Sequence, residues 1–220
     1  MKYRLLLLER MNMKKNFWIK LVLALTGILF VGVGIGFNAK SLFGNDPVAL
    51  LYDGVRNACS LPVSQLGTIS NIVNICLIIL LFFIGRHYIN IGTVVYILPL
   101  GTFVNLGTFL FPKIFVTNTV LSRGIGTFFG CLFIYVGVSI FISVDIGLDP
   151  FTGLVMAISD HLPWGFGITK IGFDFILIVI GYLLGGKVGV ITFITALLAG
   201  PSIQFITKLL KRLLQNIKLL

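Results

Sequence analysis

The sequence predicts an all-α, polytopic membrane protein of about six transmembrane helices in two homologous halves, and two observations support this fold class. Hydrophobic residues make up 57% of the 220 residues and charged residues only 11%, whereas a soluble domain carries about 25% charged residues. The chain also repeats itself, because residues 34–47 (GIGFNAKSLFGNDP) align with residues 137–150 (GVSIFISVDIGLDP). An internal duplication in so apolar a chain is typical of membrane proteins built from two repeats.

Six apolar runs are long enough to cross a hydrocarbon core of about 30 Å, which needs roughly 20 residues. They lie at 17–38, 65–85, 91–111, 124–143, 168–186 and 188–207. Each half therefore holds three spans, and an odd number inverts the second half relative to the first, as in many secondary transporters. We accordingly divide the chain into a basic N-terminal segment, a first repeat, a linker, a second repeat and a basic tail, at residues 1–16, 17–112, 113–123, 124–207 and 208–220.

The basic residues are concentrated at the two ends of the chain, and the formal net charge is +10. With the N-terminus inside, the inner flanks of the predicted spans carry ten Lys and Arg residues and the outer segments carry five. This bias predicts a membrane protein with both termini in the cytoplasm. We therefore expect the basic residues to interact with membrane lipids rather than with nucleic acid. Residues 208–220 are predicted to form a short basic amphipathic tail on the inner leaflet.

Each half also contains a shorter segment between its first and second spans, at residues 47–61 and 150–162. An Asp–Pro pair opens each segment, and Asp at the N-cap with Pro at the first helical position marks a helix start. A helix of about 13 residues extends roughly 20 Å, which is too short to span the bilayer. Two arrangements remain open, because such a helix either lies along the interface or enters the bilayer and returns.

The turns that precede these two helices are the first candidate site. The amides of a helix N-terminus could hold an anionic group, or the Asp carboxylates could attract a cation or a proton. The simpler interpretation is that each Asp only caps its helix, and the repetition of the turn does not choose between these interpretations. The residues of the two turns are Gly44, Asp46 and Pro47 in the first half and Gly147, Asp149 and Pro150 in the second.

The second candidate site is a pair of charges inside the fifth predicted span. Lys170 and Asp174 lie four residues apart and so share one helix face. Charges at that depth cost roughly 2.5–3.5 kcal/mol each on insertion scales, so they face a partner or a water-filled cavity. The first half has Ser70 and Asn74 at the corresponding positions, with Asn71 adjacent. These five residues predict a substrate or ion site between the halves; alternatively, the charged pair neutralises itself and fixes helix packing.

The residue types of the chain argue against an enzyme and against a metal centre. The three cysteines have no metal-ligand spacing, the two histidines form no HExxH pair, and Glu9 is the one glutamate. A nucleophile–base pair is also missing from the sequence. We therefore predict no catalytic residue, no metal ligand and no cofactor.

Several motifs of the second half are characteristic of one family. They comprise residues 145–150 (DIGLDP), the Lys170 and Asp174 pair, residues 181–189 (GYLLGGKVG) and residues 199–201 (AGP). In this pattern the chain resembles the bacterial YczE/YitT-type integral membrane proteins from residue 18 to residue 211. The resemblance implies a multi-pass bacterial membrane protein, and it supplies neither an established substrate nor catalytic residues.

Two functions of different classes are consistent with these observations. The first is passive or ion-coupled movement of a small solute, for which the duplication and the intramembrane charges provide the motivation. The second is a membrane-embedded accessory or regulatory protein that binds another protein and transports nothing. In either function the chain could act as a homo-oligomer.

Overall fold

The computed structural model describes the backbone of residues 2–216 and the side chains of residues 17–216. All regular structure in that part is helical. The eight α-helices are α1 Lys2–Ser41, α2 Pro47–Ala58, α3 Leu66–Ile84, α4 Ile91–Ile114, α5 Val120–Val144, α6 Pro150–Ser159, α7 Phe166–Leu183 and α8 Val190–Asn216. Six of them, all except α2 and α6, are long and apolar enough to cross a membrane. The predicted all-α fold with six spans is confirmed.

The last helix extends beyond the sixth predicted span. Helix α8 continues without interruption from Val190 to Asn216 and includes Pro201, so the backbone of the basic residues 208–216 is helical. The reason is local, because the Leu, Lys and Arg residues after Pro201 are strong helix formers and no glycine follows to end the helix. Residues 217–220 and the side chains of the basic segment 1–16 lie outside the described part of the chain.

Helix α1 packs along α5 and α4. Gly27 of α1 faces Gly137 of α5, and Gly34 faces Gly130. Since the residue numbers rise along one helix and fall along the other, α1 and α5 are antiparallel. A Cβ atom at Gly34 would lie 2.5 Å from the carbonyl oxygen of Gly130, so only glycine permits this backbone approach.

In two further pairs the helices are parallel to each other, and these pairs show on which face of the bundle the chain ends lie. Helix α4 is parallel to α1, and α8 is parallel to α5. The contacts that establish this are Gly32 with Phe103, Gly36 with Thr108, Ser139 with Ile203 and Ser143 with Thr207. Consequently α1 begins and α8 ends on the same face of the bundle, which we call the terminal face.

The two short helices pack mainly against the opposite half of the chain, α2 against α7 and α6 against α3. Each runs parallel to its partner. The contacts are Leu50 with Gly181 and Asn57 with Gly185 for α2, and Gly153 with Leu81 and Ala157 with Gly85 for α6. The contacts of one half thus correspond to those of the other, as an inverted repeat requires, although the repeat itself stays a prediction.

Candidate functional site

Each short helix begins at an aspartate whose side chain caps it. One carboxylate oxygen of Asp46, Oδ1, accepts hydrogen bonds from the backbone amides of Val48 at 3.2 Å and Ala49 at 3.3 Å. Asp149 accepts one from the amide of Thr152 at 3.0 Å. Both caps have extended backbone and are followed by proline, so the Asp–Pro signal of the sequence marks both helix starts correctly.

The turns before the caps are anchored to the third span of the other half. Gly44 has a φ of +100° and Gly147 a φ of +148°, a region that favours glycine. The turn at Gly44 packs on Gly189 at the start of α8. In the other half, Thr93 of α4 donates a hydrogen bond to the carbonyl oxygen of Leu148 at 2.8 Å. These contacts direct both aspartates towards the interior of the bundle.

Asp46 and Asp149 line one cavity of about 70 Å³ at the mid-depth of the bundle. The position follows from the other wall residues, which lie near the middle of the long helices. They include Val31 and Ile35 of α1, Tyr135 and Val138 of α5, and Ile203 of α8. Because α2 and α6 both start at this depth and end at opposite faces, they are re-entrant half-helices. Of the two predicted arrangements, this geometry favours the one in which the short helices enter the bilayer.

The predicted charged pair forms a buried ion pair beside the same cavity. The ammonium nitrogen of Lys170 lies 2.6 Å from each carboxylate oxygen of Asp174. The side chain of Asp174 is fully buried, while that of Lys170 is 14% exposed and lines the cavity. Asp174 is not part of the cavity wall, so the residue that meets the cavity is Lys170.

The charge around the cavity is negative when the carboxyl groups are ionised. Three carboxylates, those of Asp46, Asp149 and Asp174, and the ammonium of Lys170 sum to −2. The two helix N-termini contribute about +0.5 each, which leaves roughly −1. Their first amides also already bond to the capping carboxylates. Of the two functional interpretations of the Asp–Pro turns, this arrangement favours a cation or a hydrogen-bond donor over an anion.

One carboxylate oxygen of Asp46, a residue of the cavity wall, lacks a hydrogen-bond partner among the described residues. Oδ2 of Asp46 is buried and makes no hydrogen bond within the described part of the chain, and the residue as a whole is 8% exposed. Buried polar atoms are normally hydrogen-bonded, and an exception calls for an explanation. A bound cation, water molecule or protonated group at this oxygen would satisfy it.

The three polar residues predicted from α3 are bonded elsewhere. Ser70 donates to a backbone carbonyl of its own helix, and Asn71 accepts from a backbone amide of α4 at 3.0 Å. Asn74 donates to the hydroxyl of Tyr52 at 2.7 Å, which joins α3 to α2. None of the three lines the cavity. The structure therefore places Lys170 in one cavity with the two capping aspartates, and not with the polar residues of α3.

Sequence reasoning missed two tyrosines of the cavity wall, Tyr96 of α4 and Tyr135 of α5. Their signal was available, because a phenol hydroxyl inside an apolar span is an intramembrane polar group like the amides that were considered. Within the described residues, no group of three His, Cys, Asp or Glu side chains could hold a metal ion.

A second, larger cavity of about 480 Å³ opens beside the first, between α5, α6, α7 and α8. Thr152 and Ile203 belong to the walls of both cavities. From them the larger cavity extends to the end of α8, where Lys208, Lys211 and Arg212 line it. We call it the terminal-face groove.

Comparisons with known proteins agree with the membrane architecture. Residues 18–208 match the model of a family of unknown function, DUF6198. An uncharacterized protein of Haemophilus influenzae is 24% identical over 190 residues, which cover 86% of this chain and 84% of that protein. The uncharacterized membrane protein YczE of Bacillus subtilis is 24% identical over 178 residues, 81% and 80% of the two chains. No solved structure matches. The resemblance to YczE-type membrane proteins is thereby confirmed.

Proposed function

The chain belongs to the DUF6198 family, and we propose that it carries a small cation, or a small solute that donates hydrogen bonds, across the bacterial plasma membrane. The observation that carries this proposal is the meeting of two re-entrant helix ends at one cavity. Asp46, Asp149 and Lys170 all line that cavity. Discontinuous helices that end near the bilayer midplane are typical of the binding sites of secondary transporters.

The size of the cavity supports a small occupant. Its volume is about 70 Å³, and a water molecule takes up roughly 30 Å³ in the liquid. The cavity therefore has room for an ion with one or two waters, or for a solute of a few heavy atoms. A larger solute would require the surrounding helices to separate.

The negative charge of the site supports a cationic or hydrogen-bond-donating occupant. Asp46 lines the cavity, and its buried Oδ2 atom has no hydrogen-bond partner in the described part of the chain. Lys170 is held by Asp174, so it does not neutralise the two capping carboxylates. The ion pair also places one hydrogen-bond donor, the ammonium group of Lys170, at the cavity wall.

The terminal-face groove supports a route between the site and one side of the membrane. It shares Thr152 and Ile203 with the central cavity. The excess of basic residues at the chain ends favours the cytoplasm for this face. In an inverted repeat, exchange of the conformations of the two halves would open the equivalent route on the other side.

The proposal is tested by cation flux into liposomes that contain the full-length protein. Sodium, potassium, methylammonium and proton uptake would each be measured for the wild type, Asp46→Asn, Asp149→Asn and Asp145→Asn. Asparagine caps a helix as well as aspartate does, so the first two variants remove charge while they keep the fold. Asp145, which is exposed at the end of α5, is the matched control.

We expect the wild type to move at least one of these ions. Uptake should fall at least tenfold in Asp46→Asn and Asp149→Asn and stay at the wild-type level in Asp145→Asn. Flux that is equal in all four proteins would disprove the role of the capping carboxylates. If the wild type moves none of the ions and co-purifies with a second protein from native membranes, the accessory-protein interpretation replaces this one.

A further inference from the structure

The terminal-face groove combines a long apolar wall with a basic end. Ile142, Met156 and Phe166 come from α5, α6 and α7 and line the apolar part. Lys208, Lys211 and Arg212 of α8 line the basic end, and none of the described residues along the groove is acidic. The groove is therefore complementary to a molecule with an anionic head and an apolar tail.

The length of α8 allows its basic end to reach the lipid headgroups. Helix α8 begins at Val190 on the side opposite the terminal face, and Lys208 follows 18 residues later. At 1.5 Å per residue, this separation is about 27 Å, close to the thickness of a hydrocarbon core of about 30 Å. Measured from Ile203 in the wall of the central cavity, Lys208, Lys211 and Arg212 lie five to nine residues, or about 8–14 Å, towards the terminal face. Their long side chains can extend further, to the headgroups.

The three basic side chains have no counter-charge in the part of the chain that the structure describes. None of them takes part in an ion pair or a side-chain hydrogen bond among those residues. Their spacing of three and four residues puts them on one face of α8, where like charges repel. The hydroxyl of Thr207, which also lines the groove, is buried without a partner.

We propose that this groove binds an anionic glycerophospholipid of the surrounding leaflet. Its phosphate lies against Lys208, Lys211 and Arg212, and an acyl chain follows the apolar wall towards Ile203. The apolar wall favours a lipid over a soluble anion, which would leave that surface unused. Basic pockets between transmembrane helices on the cytoplasmic side are known to bind acidic headgroups, at about fivefold in affinity for each Lys or Arg.

The site is independent of cation transport, because it needs neither Asp46 nor Asp149. The lipid would nevertheless border the central cavity, since Ile203 and Thr152 line both spaces.

The test is native mass spectrometry of the delipidated full-length protein with dioleoyl phosphatidylglycerol and dioleoyl phosphatidylcholine. These lipids have the same acyl chains and differ in net charge. The groove variant is Lys208→Gln/Arg212→Gln. The control is Lys20→Gln/Arg86→Gln, which removes two charges near the terminal face but outside the groove.

We expect the wild type to bind phosphatidylglycerol more tightly than phosphatidylcholine. The groove variant should lose about 25-fold in affinity for phosphatidylglycerol, and the control should retain it. Met156→Trp, which fills the groove, should weaken the binding of both lipids without changing the melting temperature of the protein by more than a few degrees.

Three results would each overturn the proposal. The first is equal binding of the two lipids by the wild type, and the second is equal loss in the groove variant and the control. The third is competition by glycerol 1-phosphate at the concentration at which the lipid binds, which would identify a site for a soluble anion instead.

Discussion

Breaking the ion pair between Lys170 and Asp174 is expected to destabilise the protein strongly, whereas removing both charges is not. The ammonium nitrogen lies 2.6 Å from each carboxylate oxygen, and the side chain of Asp174 is fully buried. At an effective dielectric constant of about 20, two unit charges at that distance attract by roughly 6 kcal/mol. Desolvation of the two ions offsets most of this attraction, so the intact pair contributes little net stability.

The free energy of unfolding separates these terms in a double-mutant cycle. It would be measured in dodecyl maltoside micelles with increasing dodecyl sulfate for Asp174→Leu, Lys170→Met and the double variant. Each single variant leaves one buried charge without a partner and should lose about 3–5 kcal/mol. The double variant, with two apolar side chains of similar volume, should remain within about 1 kcal/mol of the wild type.

The reasoning fails if Asp174→Leu is as stable as the wild type, because the remaining ammonium would then have found water or another partner. It also fails if the double variant loses as much as the two single variants together, since the pair would then stabilise the fold directly. Cation flux by a stable double variant distinguishes the two interpretations of the pair. Retained flux identifies a packing pair, and lost flux assigns Lys170 a role at the cavity wall.

Two further variants test the packing of the helices by the same measurement. Gly34→Ala would place a Cβ atom 2.5 Å from the carbonyl oxygen of Gly130, so the two backbones must separate at a cost of about 1–3 kcal/mol of stability. The control Gly172→Ala, whose Cβ meets open space, should gain up to about 1 kcal/mol of stability. Similar values for both variants would contradict the close approach of α1 and α5. Asp53→Ala removes the carboxylate partner of the buried Arg56 guanidinium, two nitrogens of which lie 2.9 and 3.0 Å from Asp53 Oδ1. The variant should lose about 3–5 kcal/mol of stability. A loss of stability below about 1 kcal/mol would mean that Arg56 reaches solvent.

The pattern of local signals in the sequence was enough to predict most of the helical elements. Apolar runs of about 20 residues gave the six spans, because a backbone inside hydrocarbon must bond within its own helix. The Asp–Pro pairs at Asp46 and Asp149 predicted the starts of α2 and α6, since capping depends on atoms two or three residues away. The helix of the sixth span continues into the basic segment as far as Asn216, because Lys, Arg and Leu continue a helix readily.

The sequence by itself therefore determined that this is a multi-pass membrane protein, how many spans it has, and where its short helices begin. Only the tertiary structure decided that those helices enter the bundle. It also decided that Lys170 shares a cavity with Asp46 and Asp149, while Asn71 and Asn74 form hydrogen bonds elsewhere. The physical reason is that hydropathy and capping act within a few residues of the chain. Which polar residues share a cavity is instead decided by the packing of helices that can be more than a hundred residues apart in the chain, as for Asp46 and Lys170.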